Sequence, residues 1–308
     1  MTAPVTGPVT GPVIGVATPR SPTARRRRKS VTLTVIMLVM FGYAVLPLFW
    51  LLANASKSGA DLFSTFGLWF GGDFHLFANI GDTLSYQNGI FLRWFGNTVL
   101  YAVVGAGGAA LLATLGGYAL AKYDFPGRKL LFAMVLGAIS IPGTALAVPT
   151  YLLFSQAGIV DTPWAVLIPA LCSPFGLYLM RVYAADAVPD SILESARIDG
   201  AGEFRIFRTI ALRLLAPGFV TVLLFALVAT WNNYFLPLIV LNTPDWFPLT
   251  VGLNQWNAQA NSGTSGAGDA SYQLILTGSL LSIVPLIVAF LVLQRYWQSG
   301  LATGSVKQ

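Results

Sequence analysis

The sequence predicts an all-α integral membrane protein with six transmembrane helices, on three observations. Of 308 residues, 55% are hydrophobic and only 10% are charged, where a soluble domain carries about a quarter charged residues. Six apolar runs, at about 31–52, 94–121, 130–154, 164–180, 215–241 and 272–293, are long enough to cross a bilayer. And when successive connections are assigned to alternate faces, all of the 18 Lys and Arg except Lys57 and Arg93 fall on one side. That bias marks the cytoplasmic face, so both termini are expected there, in a cell (inner or plasma) membrane.

Residues 1–30 form the first predicted region, and 31–308 a single transmembrane domain. The start is rich in Thr, Pro, Gly and Val without a period, a composition that buries no core and reads as a disordered tail. Arg25-Arg26-Arg27-Arg28-Lys29 follows directly before the first span. A basic pentamer in that position is a topology signal and a contact for anionic membrane lipid, rather than a nucleic-acid patch.

Residues 53–92 read as an outer segment with surface helices. Gly105, Gly107, Gly108, Gly116 and Gly117 in the second span permit close helix packing. Pro142-Gly143 and Pro149 should kink the third span, and Pro169 and Pro174 the fourth. The polar stretch Asn242 to Ser271 is expected to be an outer loop, either a flexible connector or a docking surface.

The spans as drawn hold no Asp, Glu, Lys, Arg or His, which weighs against ion-coupled transport. No P-loop pattern is present, and His75 and Cys172 are each the sole residue of their kind. Hydrolase, nucleotide-binding and multi-ligand metal chemistry are therefore not expected in this chain, and it is read as no enzyme and as holding no cofactor.

The charge that remains gathers between the fourth and fifth spans, at 186–214. Pro189 suits a first helical turn, and Ser191 to Glu194 has capping-box spacing. Asp199-Gly200-Ala201-Gly202 interrupts the helix, and Phe204, Phe207, Ala211 and Leu214 give a second helix its apolar face. This is a helix–turn–helix bracket on a membrane surface.

Glu194-Ser195-Ala196, Asp199-Gly200-Ala201, Ile210-Ala211-Leu212 and Pro217 resemble the "EAA" loop of the membrane-spanning subunits of binding-protein-dependent ABC importers. Ser195 stands where that pattern has its first Ala, and Arg213 where it has Pro. Phe125-Pro126-Gly127-Arg128, Trp231-Asn232-Asn233-Tyr234 and Phe247-Pro248-Leu249 further resemble the carbohydrate, maltose-type branch.

The resemblance implies a type I ABC importer permease fold and a function: half of a sugar pathway, coupled to ATP-binding cassette subunits that hold the ATP. It also implies a second homologous permease and an extracytoplasmic solute-binding protein. Glu194, Ser195, Ala196, Asp199, Gly200 and Ala201 would couple to the ATPase. Trp231, Asn232, Asn233 and Tyr234 are candidates for the solute pathway, the amides reaching sugar hydroxyls and the rings stacking on a pyranose; interhelical hydrogen bonding by the two Asn is the competing reading. The rival function is an ATP-independent channel or facilitator for a small polar solute.

Overall fold

The computed structural model describes residues 30–262 and 268–304, with side chains to 294; the tail before Ser30 lies outside the described residues. It divides into two units, one ending at Leu46 and the other running from Pro47. In the first unit, Val31 to Leu46 is a single helical run whose apolar side chains are exposed, as a lipid-facing helix requires. This helix, α1 (Val31–Ala55), continues into the second unit past Pro47.

The segment after α1 is built around a lysine. Lys57 is 0% exposed, and its Nζ donates to Phe66 O at 3.0 Å. Asn79 Nδ2 donates to Ala55 O and Lys57 O, and Asn54 Nδ2 to Gly67 O. These bonds tie both the turn after α2 (Gly59–Ser64) and the start of the next helix to residues 54–57.

α3 (Leu76–Lys122) is interrupted at Tyr86–Gly89, where the backbone leaves helical geometry, and then runs unbroken to Lys122. It packs against α6 (Trp164–Ala170), α7 (Pro174–Ala187) and α10 (Leu212–Trp231). Small residues make the approach possible: a Cβ on Gly105 would lie 2.8 Å from Ala170 Cβ, and one on Gly117 2.6 Å from Met180 Cβ. Gly107 faces open space.

Three spans are broken. α4 (Arg128–Ile139) and the helical stretch Gly143–Gln156, which contains α5 (Ala147–Gln156), meet at 100° across Ser140–Pro142. The sequence predicts a kink there and the structure shows a near right-angle bend, since Pro142 stops the helix and a short 3₁₀ turn restarts it. α6 stops before Leu171, and α7 restarts with Ser173 accepting from Gly176 N and Pro174 opening the helix. α10 stops at Trp231, and α11 (Phe235–Val240) follows. Among the described residues five helical stretches, with Trp164–Ala187 taken as one, are long and apolar enough to cross a membrane, six when the bent pair is one span.

The polar stretch after α11 is no loose loop as far as Ser262. Trp94 Nε1 donates to Pro244 O, Asn97 Nδ2 to Asp245 O and Phe247 O, and Tyr101 Oη to Trp246 O. Asp161 accepts from the Thr243 hydroxyl and from the amides of Asn242 and Thr243. α12 (Leu249–Asn261) buries Trp256 against Trp94 and Tyr86. The far end of this stretch falls outside the described residues. α13 (Gly268–Gly304) closes the bundle against α3, α10 and α12.

Candidate functional site: a braced bracket joined to a groove

At one end of the bundle the chain forms α8 (Asp190–Ile198), a turn, and α9 (Glu203–Ile206). α8 begins two residues earlier than a capping box would place it. Pro189 is the N-cap and Ser191 already lies inside the helix, so the expected Ser191–Glu194 box does not form. Ser195 Oγ instead donates to Ser191 O at 2.9 Å. The start of α8 is held by Asp190, whose carboxylate meets Lys122 Nζ at 2.8 Å, an acid in the first turn where the helix dipole favours it.

The turn is a Schellman motif centred on Gly200. Ala201 N donates to Ala196 O and Gly200 N to Arg197 O, each at 3.0 Å. Gly200 has φ +79°, a conformation that glycine reaches without a Cβ penalty. Across the turn Arg197 Nε meets Glu203 Oε1 at 2.7 Å, and Tyr123 Oη donates to Glu203 Oε2 at 2.7 Å. The Arg197 and Tyr123 bonds hold the Glu203 carboxyl below the usual carboxylate range. Burial and the bond to Glu203 push the Tyr123 phenol up.

Leu193 and Ala196 of α8 are buried with Tyr118, Met180, Ile206 and Leu215. A π turn over Phe207–Ala211 joins α9 to α10. It spaces the buried residues Ile206 and Ala211 five apart, and Leu215 then follows at four. The expected face of Phe204, Phe207, Ala211 and Leu214 is therefore corrected: Phe204 and Leu214 point outward.

Of the predicted coupling residues, Glu194, Ser195, Asp199 and Gly200 are exposed, Ala201 is half-buried and Ala196 faces the core. Three apolar side chains accompany them on the surface, Ile192, Ile198 (86% exposed) and Phe204 (77%). Sequence reading passed over Ile192 and Ile198 and assigned Phe204 to the buried face. Their signal was present as apolar residues off the buried stripe of short, highly charged helices.

The three breaks meet at a groove of ≈ 600 Å³ lined by Gly143, Thr144, Thr150, Pro169, Cys172, Pro174 and Asn233, among others. Of the predicted pathway residues only Asn233 lines it. Trp231 is 8% exposed, with Nε1 on Ser282 O and its ring edge-on to Phe95, so it has no free face for a sugar. Asn232 Nδ2 turns back to Val228 O, a helix-end bond rather than an interhelical one. Tyr234 Oη donates to Asn254 Oδ1. Thr144 and Thr150 were missed because nothing in their own neighbourhood shows that the bend at Pro142 brings them to Asn233.

The family described as "Binding-protein-dependent transport system inner membrane component" matches residues 113–302, which contain the bracket and most of the groove. The chain belongs to this family. It is accordingly a multi-pass membrane permease subunit, a transport component and not an enzyme, and the ATP-independent channel is not favoured. The arabinooligosaccharides transport system permease protein AraQ of Halalkalibacterium halodurans is 35% identical over 72% of this chain and 76% of its own length. AraQ of Bacillus subtilis is 31% identical over 90% and 95%. A crystal structure of a bacterial ABC transporter involved in the import of the acidic polysaccharide alginate contains a chain with the same fold. It has a TM-score of 0.77 and 24% identity, covering 90% of this chain and 100% of that one. The type I permease fold expected from the sequence is thus the fold observed.

Proposed function

We propose that this permease forms half of the path for an oligosaccharide and is driven through its bracket by an ATP-binding cassette subunit, which holds the nucleotide. A second, homologous permease would complete the path, and a solute-binding protein would deliver to the face opposite the bracket. The bracket face and both termini would be cytoplasmic, as the Lys/Arg bias requires. Relatives named for arabinooligosaccharide transport support the sugar class.

One observation carries this reading. α7 ends two residues before the bracket and α10 begins directly after its π turn, while the far ends of the same helices reach the groove at Pro174 and just before Asn233. Bracket and groove are joined by two helices, each continuous along its length. Motion imposed on Glu194, Asp199, Gly200 and the exposed Ile198 and Phe204 would shift the groove walls without any change in secondary structure. Ser195, Ala196 and Ala201 set the surface on which those groups stand.

The test is co-purification of an ATP-hydrolysing subunit with the full chain, followed by ATP-dependent sugar uptake. Ile198→Asp and Phe204→Asp alter exposed side chains, so membrane levels should hold while the ATPase subunit is lost. A cysteine at Ser195 should be labelled from the cytoplasmic side alone. Undiminished co-purification in both Asp variants would remove the bracket from the docking role.

A further inference from the structure

The bracket end of the bundle holds a second concentration of positive charge, apart from α8 and α9. Arg128 and Lys129 open α4, and the Arg181 guanidinium of α7 stands 4.5 Å from the centre of the Phe132 ring. With Leu120 and Phe125 these residues surround a recess of ≈ 790 Å³. The carboxylate there is Asp124, ion-paired with Arg128, so three cations stand against one acid. Among the described residues the Lys129 side chain has no hydrogen bond or ion pair, and the contact of Arg181 is with an aromatic face.

From Arg128, α4 runs on for about 15 Å to Ala138, and its flank changes character. Leu131, Met134, Val135 and Ala138 line an apolar groove of ≈ 380 Å³ with Leu112 of α3 and Leu177 of α7. Recess and groove adjoin along the same two helices, α4 and α7. Leu130 of the recess and Met134 of the groove remain exposed.

We propose that the recess and groove together hold one anionic phospholipid, its phosphate against Arg128, Lys129 and Arg181 and one acyl chain along α4. Charge fixes the sign of the headgroup, since guanidinium and ammonium groups pair with phosphate oxygens. The apolar continuation separates a lipid from a free phosphate, which would use the recess alone. A protein partner would have to offer an acid and an aliphatic segment about 15 Å long in one line; a phospholipid has that form already. The lipid would brace α4 against α7 beside the bracket.

The test uses the full chain in nanodiscs of phosphatidylcholine containing some phosphatidylglycerol, with a bimane on Met134→Cys in a Cys172→Ser background. Brominated phosphatidylglycerol should quench the bimane several-fold more than brominated phosphatidylcholine at equal mole fraction. Lys129→Gln with Arg181→Gln should bring that preference down to about one, equal quenching by the two lipids, with helical content unchanged by circular dichroism. Arg128 is kept to preserve its pair with Asp124. Added inorganic phosphate should leave the preference intact. Equal quenching by the two lipids without those two substitutions, or an unchanged preference in the double variant, overturns the proposal. So does displacement by phosphate, which assigns the recess to a free anion, or absence of quenching by either lipid, which means that protein covers the groove.

Discussion

Replacing Gly200 separates two demands that a turn glycine can answer, backbone conformation and room for a partner. Its φ is +79°, and a Cβ placed on it meets nothing within 4 Å. The penalty inside this chain is therefore conformational, roughly 1–2 kcal/mol for an ordinary L-residue in left-handed geometry. That lowers the population of the native turn by about 5- to 30-fold. Val adds β-branching and should cost more than Ala; Asn, close to Val in size, tolerates this region far better. The two Schellman bonds, Ala201 N to Ala196 O and Gly200 N to Arg197 O, depend on that φ. Trypsin cleavage at Arg197 and Arg205, ATPase co-purification and uptake should be measured together at matched membrane level. The expected order of bracket integrity and coupling is Gly, Asn, Ala, Val. Damage by Asn equal to that by Val, with Ala harmless, would refute the conformational account and place the demand in the partner surface. Normal uptake by Gly200→Val would show that the bracket does not couple.

A paired substitution tests the packing of α3: a Cβ at Gly117 would lie 2.6 Å from Met180 Cβ and 2.7 Å from Arg181 N, whereas Gly107 meets nothing. Gly117→Ala should destabilise by roughly 1–3 kcal/mol and lower the melting temperature in detergent, and Gly107→Ala should leave it level or raise it. Acid should loosen the bracket through Glu203, whose carboxyl is held below its usual range by Arg197 and Tyr123. Because the folded pKa is the lower one, this contribution is complete above the unfolded value of about 4.3 and is lost as pH falls through the folded value. The anisotropy of a label on Ser195→Cys should stay level from neutral pH down to about 5 and fall below that, and Glu203→Gln should show the low value already at neutral pH. Loosening of the wild-type bracket between about pH 6 and 7 would assign the switch to another group.

Much of the bracket was legible because its cues are local. A glycine between two short amphipathic helices needs only a few residues of sequence, although the capping box read at Ser191 to Glu194 does not form. The π turn was not legible, and it moved the buried face onto Ile206 and Leu215, since one extra residue per turn leaves no compositional mark. The ordered stretch after α11 was also missed. Its stability comes from Trp94, Asn97, Thr98 and Tyr101, whose side chains bond to residues 145–151 positions away. Lys57 looked like an exposed outer charge. Its burial depends on carbonyl groups that become available only when the turn after α2 folds back.

The broken spans show what kind of solute the groove suits. Interrupting a helix within a bilayer frees backbone groups, each costly in hydrocarbon, so breaks persist where they line a wet or protein-lined cavity. Here Gly143, Pro174 and Asn233, one from each break, share a single groove. Pro142 and Pro174 restart two of the helices without contributing an N–H, which tilts the exposed backbone toward acceptors. Among the lining residues the polar side chains are Thr144, Thr150, Cys172 and Asn233, and none carries a fixed charge. A charged solute would leave water here without a counter-charge, a penalty these neutral groups do not offset. Hydroxyl groups, which donate to carbonyl and amide oxygens, lose little. Where the path proposed above runs through this groove, the chemistry of its lining favours a neutral, hydroxyl-rich solute over an anionic one, in keeping with an oligosaccharide.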